Sequence, residues 1–250
     1  MIKRVRVSQP RILMYHAIAD PAHDPNKLCV SPARFEAQLL YLKQHNLRGV
    51  SVKELYHARS TGTAKSLIGL TFDDGYKDFL HAAVPILESF GFSATVFVVA
   101  GLLGKKNRWE HAHNPTPQME LLEATDLLEV SKRGMEVGSH SLTHADLSGL
   151  NPRMLEEEVK GSHRVLSELL GEEVAGFGYP YGHLNHAAVE SVRQAGYAYA
   201  CGWRILLKHG GGAYNLRRIY ISEKDNHLRI AAKLKAYSQY SAITRHFRPW

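Results

Sequence analysis

Short apolar runs alternate with helical patterns along the whole chain. That alternation restricts the fold to a parallel α/β arrangement, because a strand that returns to the same sheet through a helix pairs in parallel. The strand-like runs fall at residues 12–15, 49–52, 67–72, 94–99, 135–138, 174–177, 197–201 and 217–221. Between them, Ser31-Pro32 and Asn151-Pro152 each offer a capping side chain followed by a first-turn proline, and Gly91, Gly171 and Gly196 stand where helices should stop. The stretch 79–90 reads as a helix that Pro85 should kink. Strands and helices in this number fit a closed β/α barrel or an open doubly wound sheet. For 250 residues a single domain spanning 1–250 is expected.

Composition narrows the function. Hydrophobic residues at 44% and charged residues at 22% are ordinary for a globular protein with a substantial core. Gly210, Gly211 and Gly212 lack the spacing of a dinucleotide or phosphate loop. Cys29 and Cys201 match no metal or redox spacing and are expected as reduced, buried thiols. No apolar run approaches the roughly 18 residues of a membrane span, and the first residues are too polar for a signal-peptide core, so a cytoplasmic location is expected. The net charge of +7 is local, since residues 204–250 carry ten Lys/Arg against two acids and leave the first 203 residues at −1. Such a segment, with Arg229, Lys233 and Lys235, suits peripheral contact with anionic headgroups at the inner membrane face or with a lipid-linked glycan. No nucleic-acid motif accompanies it, and no nucleic-acid partner is expected.

The run at 67–72 stops abruptly in Asp73, Asp74 and Gly75. An apolar strand ending in two acids delivers charge to the rim of a sheet, where ligands bind. Downstream, His140 and His144 follow another strand-like run four residues apart; on a helical turn that spacing puts both imidazoles on one face, able to grip one metal ion. Two histidines and one carboxylate leave coordination positions open for water and substrate, which is a catalytic arrangement. The ion expected is Zn2+, with Co2+, Ni2+ or Mn2+ as alternatives, and the second carboxylate is free to act as general base. The long irregular stretch 101–117, with Trp109, His111 and His113, is a candidate substrate wall or lid.

Three motifs in this order resemble the polysaccharide deacetylases of the NodB-homology type, carbohydrate esterase family 4. Thr71-Phe72-Asp73-Asp74-Gly75 is similar to the family's first motif, His140-Ser141-Leu142-Thr143-His144 to its second, and Tyr179-Pro180-Tyr181-Gly182 to its third, so the core motifs span 71–182. The resemblance implies an irregular (β/α)7-type barrel, NodB-like, in one domain. It implies Asp73 as general base, Asp74, His140 and His144 as metal ligands, and the Tyr181 backbone N–H as an oxyanion donor. Pro180 and Trp109 become substrate-contacting candidates, with Trp109 and Tyr181 offering rings to a sugar. The implied reaction removes N-acetyl groups from an amino sugar in a polysaccharide, oligosaccharide or lipid-linked precursor.

Two departures from the family pattern stand out. Where the third motif often carries an arginine that orients the base, this chain has Gly178, and no clear late motif supplies the acid histidine. His16, ending the apolar run at 12–15, is the leading general acid, because first and last strands of a closed barrel are neighbours; that order resembles the circularly permuted poly-N-acetylglucosamine deacetylases. His209 is the alternative. Competing activities are a deformylase or another C–N amidase on a small substrate, or a carbohydrate-binding protein of the same fold with weakened catalysis.

Overall fold

The computed structural model describes residues 10–20, 24–109, 118–203 and 212–244, with side chains to 239. Among the described residues are nine strands: β1 (Ile12–Tyr15), β2 (Arg48–Val50), β3 (Leu67–Phe72), β4 (Thr95–Val98), β5 (Glu136–Ser139), β6 (Gly176–Gly178), β7 (Tyr199–Gly202), β8 (Leu216–Arg217) and β9 (Ile219–Tyr220). The helices between them are α1 (Pro32–Gln44), α2 (Val52–Ser60), α3 (Val84–Ser89), α4 (Ala124–Lys132), α5 (Pro152–Leu170), α6 (His186–Gln194) and α7 (His227–Thr244). All strand pairings are parallel.

Pairing runs β8-β7-β6-β5-β4-β3-β1-β9, with β2 added on β3. Only Arg218 separates β8 from β9, so the two ends of this path are one continuous segment whose first half pairs with β7 and whose second half pairs with β1. The sheet thereby closes on itself around seven positions, which is the irregular (β/α)7 barrel expected from the resemblance. Arg218 sits at the seam.

Strand alternation sorts the core into two layers. Leu13 and Tyr15 of β1, Leu70 and Phe72 of β3, and Val96 and Val98 of β4 face outward and pack under the helices. Ile12, Phe97, Tyr199, Cys201 and Leu216 fill the barrel interior. The same alternation carries Thr71 inward, and two residues later Asp73.

The capping signals hold. Ser31 and Asn151 cap α1 and α5 by accepting from the amides of Arg34 and Met154, and Gly171 ends α5 in the left-handed conformation at φ 70°. Pro85 does not simply bend a helix: residues Phe79–Ala83 form a π-helical turn that runs into α3, absorbing the missing proline N–H. Cys29 and Cys201 are free and buried, and burial pushes both thiols up to about 12. Among the described residues, no helix is long and apolar enough to cross a membrane. Within the basic segment the Lys233 ammonium donates to the Asp225 carboxylate and the Tyr220 carbonyl, while Arg229 and Lys235 are exposed.

Candidate active site

The barrel strands deliver their last residues to one rim, the usual place for a site in such folds. There a cavity of about 490 Å³ is lined by His16, Asp73, Asp74, His140, His144 and Arg218 among others. His16 continues the inward alternation of β1 past Ile12 and Met14. Asp73 leaves β3 with its amide still bonded to the Tyr15 carbonyl at 3.0 Å. Asp74 then adopts φ 74°, and this left-handed turn, rather than simple extension, aims two adjacent carboxylates at different targets.

Asp74 faces the histidines. Its Oδ1 lies 3.5 Å from His140 Nε2 and 3.2 Å from His144 Nε2, and all three residues are buried. The His140 Nδ1 lies 2.8 Å from the Gly178 carbonyl, an acceptor, so that nitrogen carries the proton and the Nε2 lone pair points at the Asp74 oxygen. Burial lowers the pKa of His144, favouring its neutral ring as well. Two lone pairs and a carboxylate oxygen converging within 4.8 Å fit a divalent cation. Burial would raise the Asp74 pKa, yet the two neighbouring histidines hold it well below the usual carboxylate range.

The histidine spacing acts differently from the expected helical turn. Residues 140–146 form a loop in which Ser141 and His144 take φ of 66° and 68°, and the Ser141 hydroxyl accepts from the His144 amide at 3.0 Å. Ring direction is set by these two left-handed residues.

Asp73 is held by a residue that the motifs did not single out. Arg218 donates to both carboxylate oxygens, at 2.5 and 2.8 Å, and to the Thr71 hydroxyl at 3.2 Å. Burial pushes the Asp73 pKa up, but the Arg218 charge, followed by His140, brings it below the ordinary value. Gly178 explains why the arginine comes from elsewhere: a Cβ there would lie 2.9 Å from Phe97 Cγ and 3.0 Å from His140 Nδ1. The signal for Arg218 was present in strand alternation, since Ile219 and Ile221 face the outer core and Arg218 and Tyr220 therefore face the cavity.

Of the remaining residues, His16 lines the cavity, and its Nδ1 is buried without a hydrogen-bond partner among the described residues. Tyr181 lines it too, at φ 58°, with its ring edge-on to His144. Trp109 is stacked on His144 at 4.2 Å and is only 9% exposed, so it forms a cavity wall that backs the His144 ring. Pro180 is buried and absent from the cavity lining, where it initiates the turn that presents Tyr181. His111, His113 and His209 lie outside the described residues.

A sequence profile for polysaccharide deacetylase matches residues 60–200, more than half of the chain. The chain belongs to the polysaccharide deacetylase family. Among curated relatives of this chain, YxkH of Bacillus subtilis (strain 168) is 27% identical over 198 residues, covering 78% of this chain and 65% of that protein. The poly-beta-1,6-N-acetyl-D-glucosamine N-deacetylase of Staphylococcus aureus (strain MSSA476) is 26% identical over 180 residues, covering 68% of this chain and 59% of that one. The chain thus spans about three-fifths of the curated relatives it matches. Among solved structures, the Streptococcus pyogenes deacetylase PplD in complex with acetate superposes with a TM-score of 0.74 at 27% identity, over 90% of this chain and 97% of that one. BC0361, a polysaccharide deacetylase from Bacillus cereus, gives 0.73 at 25% identity, over 90% and 69%.

Proposed function

We propose that this family member is a metal-dependent N-deacetylase acting on an amino sugar within a polysaccharide, an oligosaccharide or a lipid-linked precursor, and that the whole chain serves as one catalytic domain. The observation that carries the reading is the pairing, in one cavity, of an arginine-clamped Asp73 with the converging Asp74, His140 and His144.

In this reading Asp74, His140 and His144 hold the ion. When bound, a divalent ion supplies Lewis acidity towards the acetamido carbonyl and activates water near neutral pH. Asp73 takes the proton from the attacking water. Arg218 keeps that carboxylate ionised and aimed without itself reaching the substrate. As the carbonyl carbon becomes tetrahedral, the Tyr181 N–H donates to the developing oxyanion. His16 gives a proton to the sugar nitrogen, which leaves as a free amine. Trp109 limits the acetyl end of the cavity.

An acetate-release assay over N-acetylglucosamine oligomers, before and after chelation and after zinc is returned, tests the function. Acetate should appear, stop on chelation and resume with zinc. Formate release from N-formyl sugars without acetate release from any N-acetyl saccharide would overturn the proposal in favour of a deformylase.

A further inference from the structure

Helix α5 buries Leu155, Val159 and Leu166 against the barrel, and two polar residues, Glu158 and Ser162, interrupt that stripe one turn apart. Ser162 has an evident purpose in the frame: the Ser139 hydroxyl at the end of β5 donates to it at 2.9 Å, and it donates to the Val159 carbonyl at 2.9 Å. Glu158 is harder to explain by packing. A carboxylate at a core-facing helical position is costly unless donors satisfy it. Among the described residues no Lys or Arg pairs with it, and all its donors come from the loop that carries the histidines. The amides of Leu142 and Thr143 donate to one oxygen at 3.0 and 2.9 Å, and the Thr143 hydroxyl donates to the other at 2.5 Å.

Those bonds fall between Ser141 and His144, the two residues of this loop that hold left-handed backbone. Such conformations persist only where surroundings over-determine them. One side of the loop is fixed by Ala100 and Gly101, whose amides donate to the carbonyls of Ser141 and Leu142 at 3.0 and 2.8 Å. Glu158 fixes the opposite side by taking the loop's N–H groups. The loop is thereby gripped through its donors and its acceptors, and its next residue is His144.

We propose that Glu158 is a positioning residue for the metal centre: its carboxylate holds residues 141–144 in the conformation that sets His144 Nε2 beside Asp74 and His140. This rests on the reading of Asp74, His140 and His144 as metal ligands. Partners that orient ligands typically change metal affinity by about 10–100-fold when removed.

The test measures zinc affinity, with Zn2+ alone as the probe, by competition with a chromophoric chelator well below each variant's apo unfolding temperature. His144→Ala should lose the tight site. Glu158→Ala should weaken it by about 10–100-fold. Glu158→Gln, which keeps one acceptor oxygen, should fall between Glu158→Ala and the parent, as should Thr143→Val. If Glu158→Ala does not fold, Glu158→Gln and Thr143→Val carry the comparison. A lower apo unfolding temperature with unchanged zinc affinity in the folded variants means a merely structural glutamate, and overturns the inference while His144→Ala still upholds the metal centre. Equal zinc binding by the parent and His144→Ala would instead sink the metal-centre reading, and the role of Glu158 with it.

Discussion

Arg218 and Asp73, 145 residues apart in sequence, form a bidentate buried pair that ties the segment closing the barrel to the end of β3. The arginine also lies over the Phe97 ring at 5.6 Å, so its plane is fixed from below while its fork holds the carboxylate above. Removing it leaves a buried charge without a partner, which costs about 3–5 kcal/mol. Arg218→Ala is therefore expected to destabilise the fold by that order and to raise the Asp73 pKa, since the largest influence opposing burial is then gone. Two measurements check this: denaturant unfolding, and a pH–rate profile whose acidic limb moves to higher pH. In the parent the depressed Asp73 pKa contributes stability above the ordinary carboxylate value, and that stability is lost as pH falls through the folded value. An Arg218→Ala profile superimposable on the parent's would show that the pair does not tune the base.

The position of the arginine cannot be exchanged with that of the family pattern. Because Phe97 and His140 fill the space beside Gly178, the double variant Gly178→Arg/Arg218→Gly should not recover activity and should be less stable than Arg218→Gly alone, by overpacking of about 1–3 kcal/mol. Steady-state assays and thermal unfolding of the two variants side by side decide it. Recovery in the double variant would mean that the interior repacks.

Much of this site was readable from alternation and spacing. The apolar run ending in Asp73 and Asp74 marked the strand and its charged end at the rim, whereas the phase that turns Asp73 inward was not legible, because β3 is buried on both faces along its whole length. His140 and His144 were recognisable as a pair, yet their loop was not. Left-handed backbone at Ser141 and His144 is imposed by tertiary bonds from β4, Gly101 and α5, and neither residue type announces it. Arg218 was hidden for another reason: alternation sets it opposite Ile219 and Ile221, but only the knowledge that this short segment closes the ring makes its face the barrel interior.

The two aspartates should separate cleanly by substitution. On the proposed roles, Asp73→Asn removes the base while leaving Asp74, His140 and His144 in place, so zinc should remain bound while kcat falls by about 10²–10⁴-fold. Asp74→Ala removes one of the three proposed ligands, and tight zinc binding should disappear together with activity. Metal content by mass spectrometry alongside turnover distinguishes the two, and full activity in Asp73→Asn would refute its assignment as base.

His16 and His209 compete for the role of acid. His16 faces the same cavity as Asp73, whereas His209 lies outside the described residues. His16→Ala should lower kcat by about 10²–10⁴-fold with KM and zinc content little changed, because proton delivery to the leaving nitrogen matters only in the transition state. Amide substrates should suffer more than activated esters, whose leaving groups need no proton. The reverse ranking, with His209→Ala the more damaging variant, would move the acid to the later histidine.

Asp78 offers a test of the frame behind His16 without touching the chemistry. Its Oδ1 accepts from the Ile18 amide at 2.8 Å, while Oδ2 is buried without a partner among the described residues. Burial raises its pKa to about 6, against the opposing hydrogen bond from Ile18. A raised carboxyl has the opposite sign to Asp73: the folded state keeps the proton that the unfolded chain has already released, so stability falls as pH rises from about 4 to about 6 and the penalty persists above. Asp78→Asn keeps an acceptor for Ile18 and removes the charge. Because other atoms of Asp78 reach solvent, the gain should be on the order of 1–2 kcal/mol at pH 8, below the full value of the shift. The gain should shrink steadily towards pH 4, with acetate release unchanged throughout. Urea unfolding of both proteins across that range would show a widening gap with rising pH, and a gap of constant size would mean that Asp78 does not titrate in the folded protein.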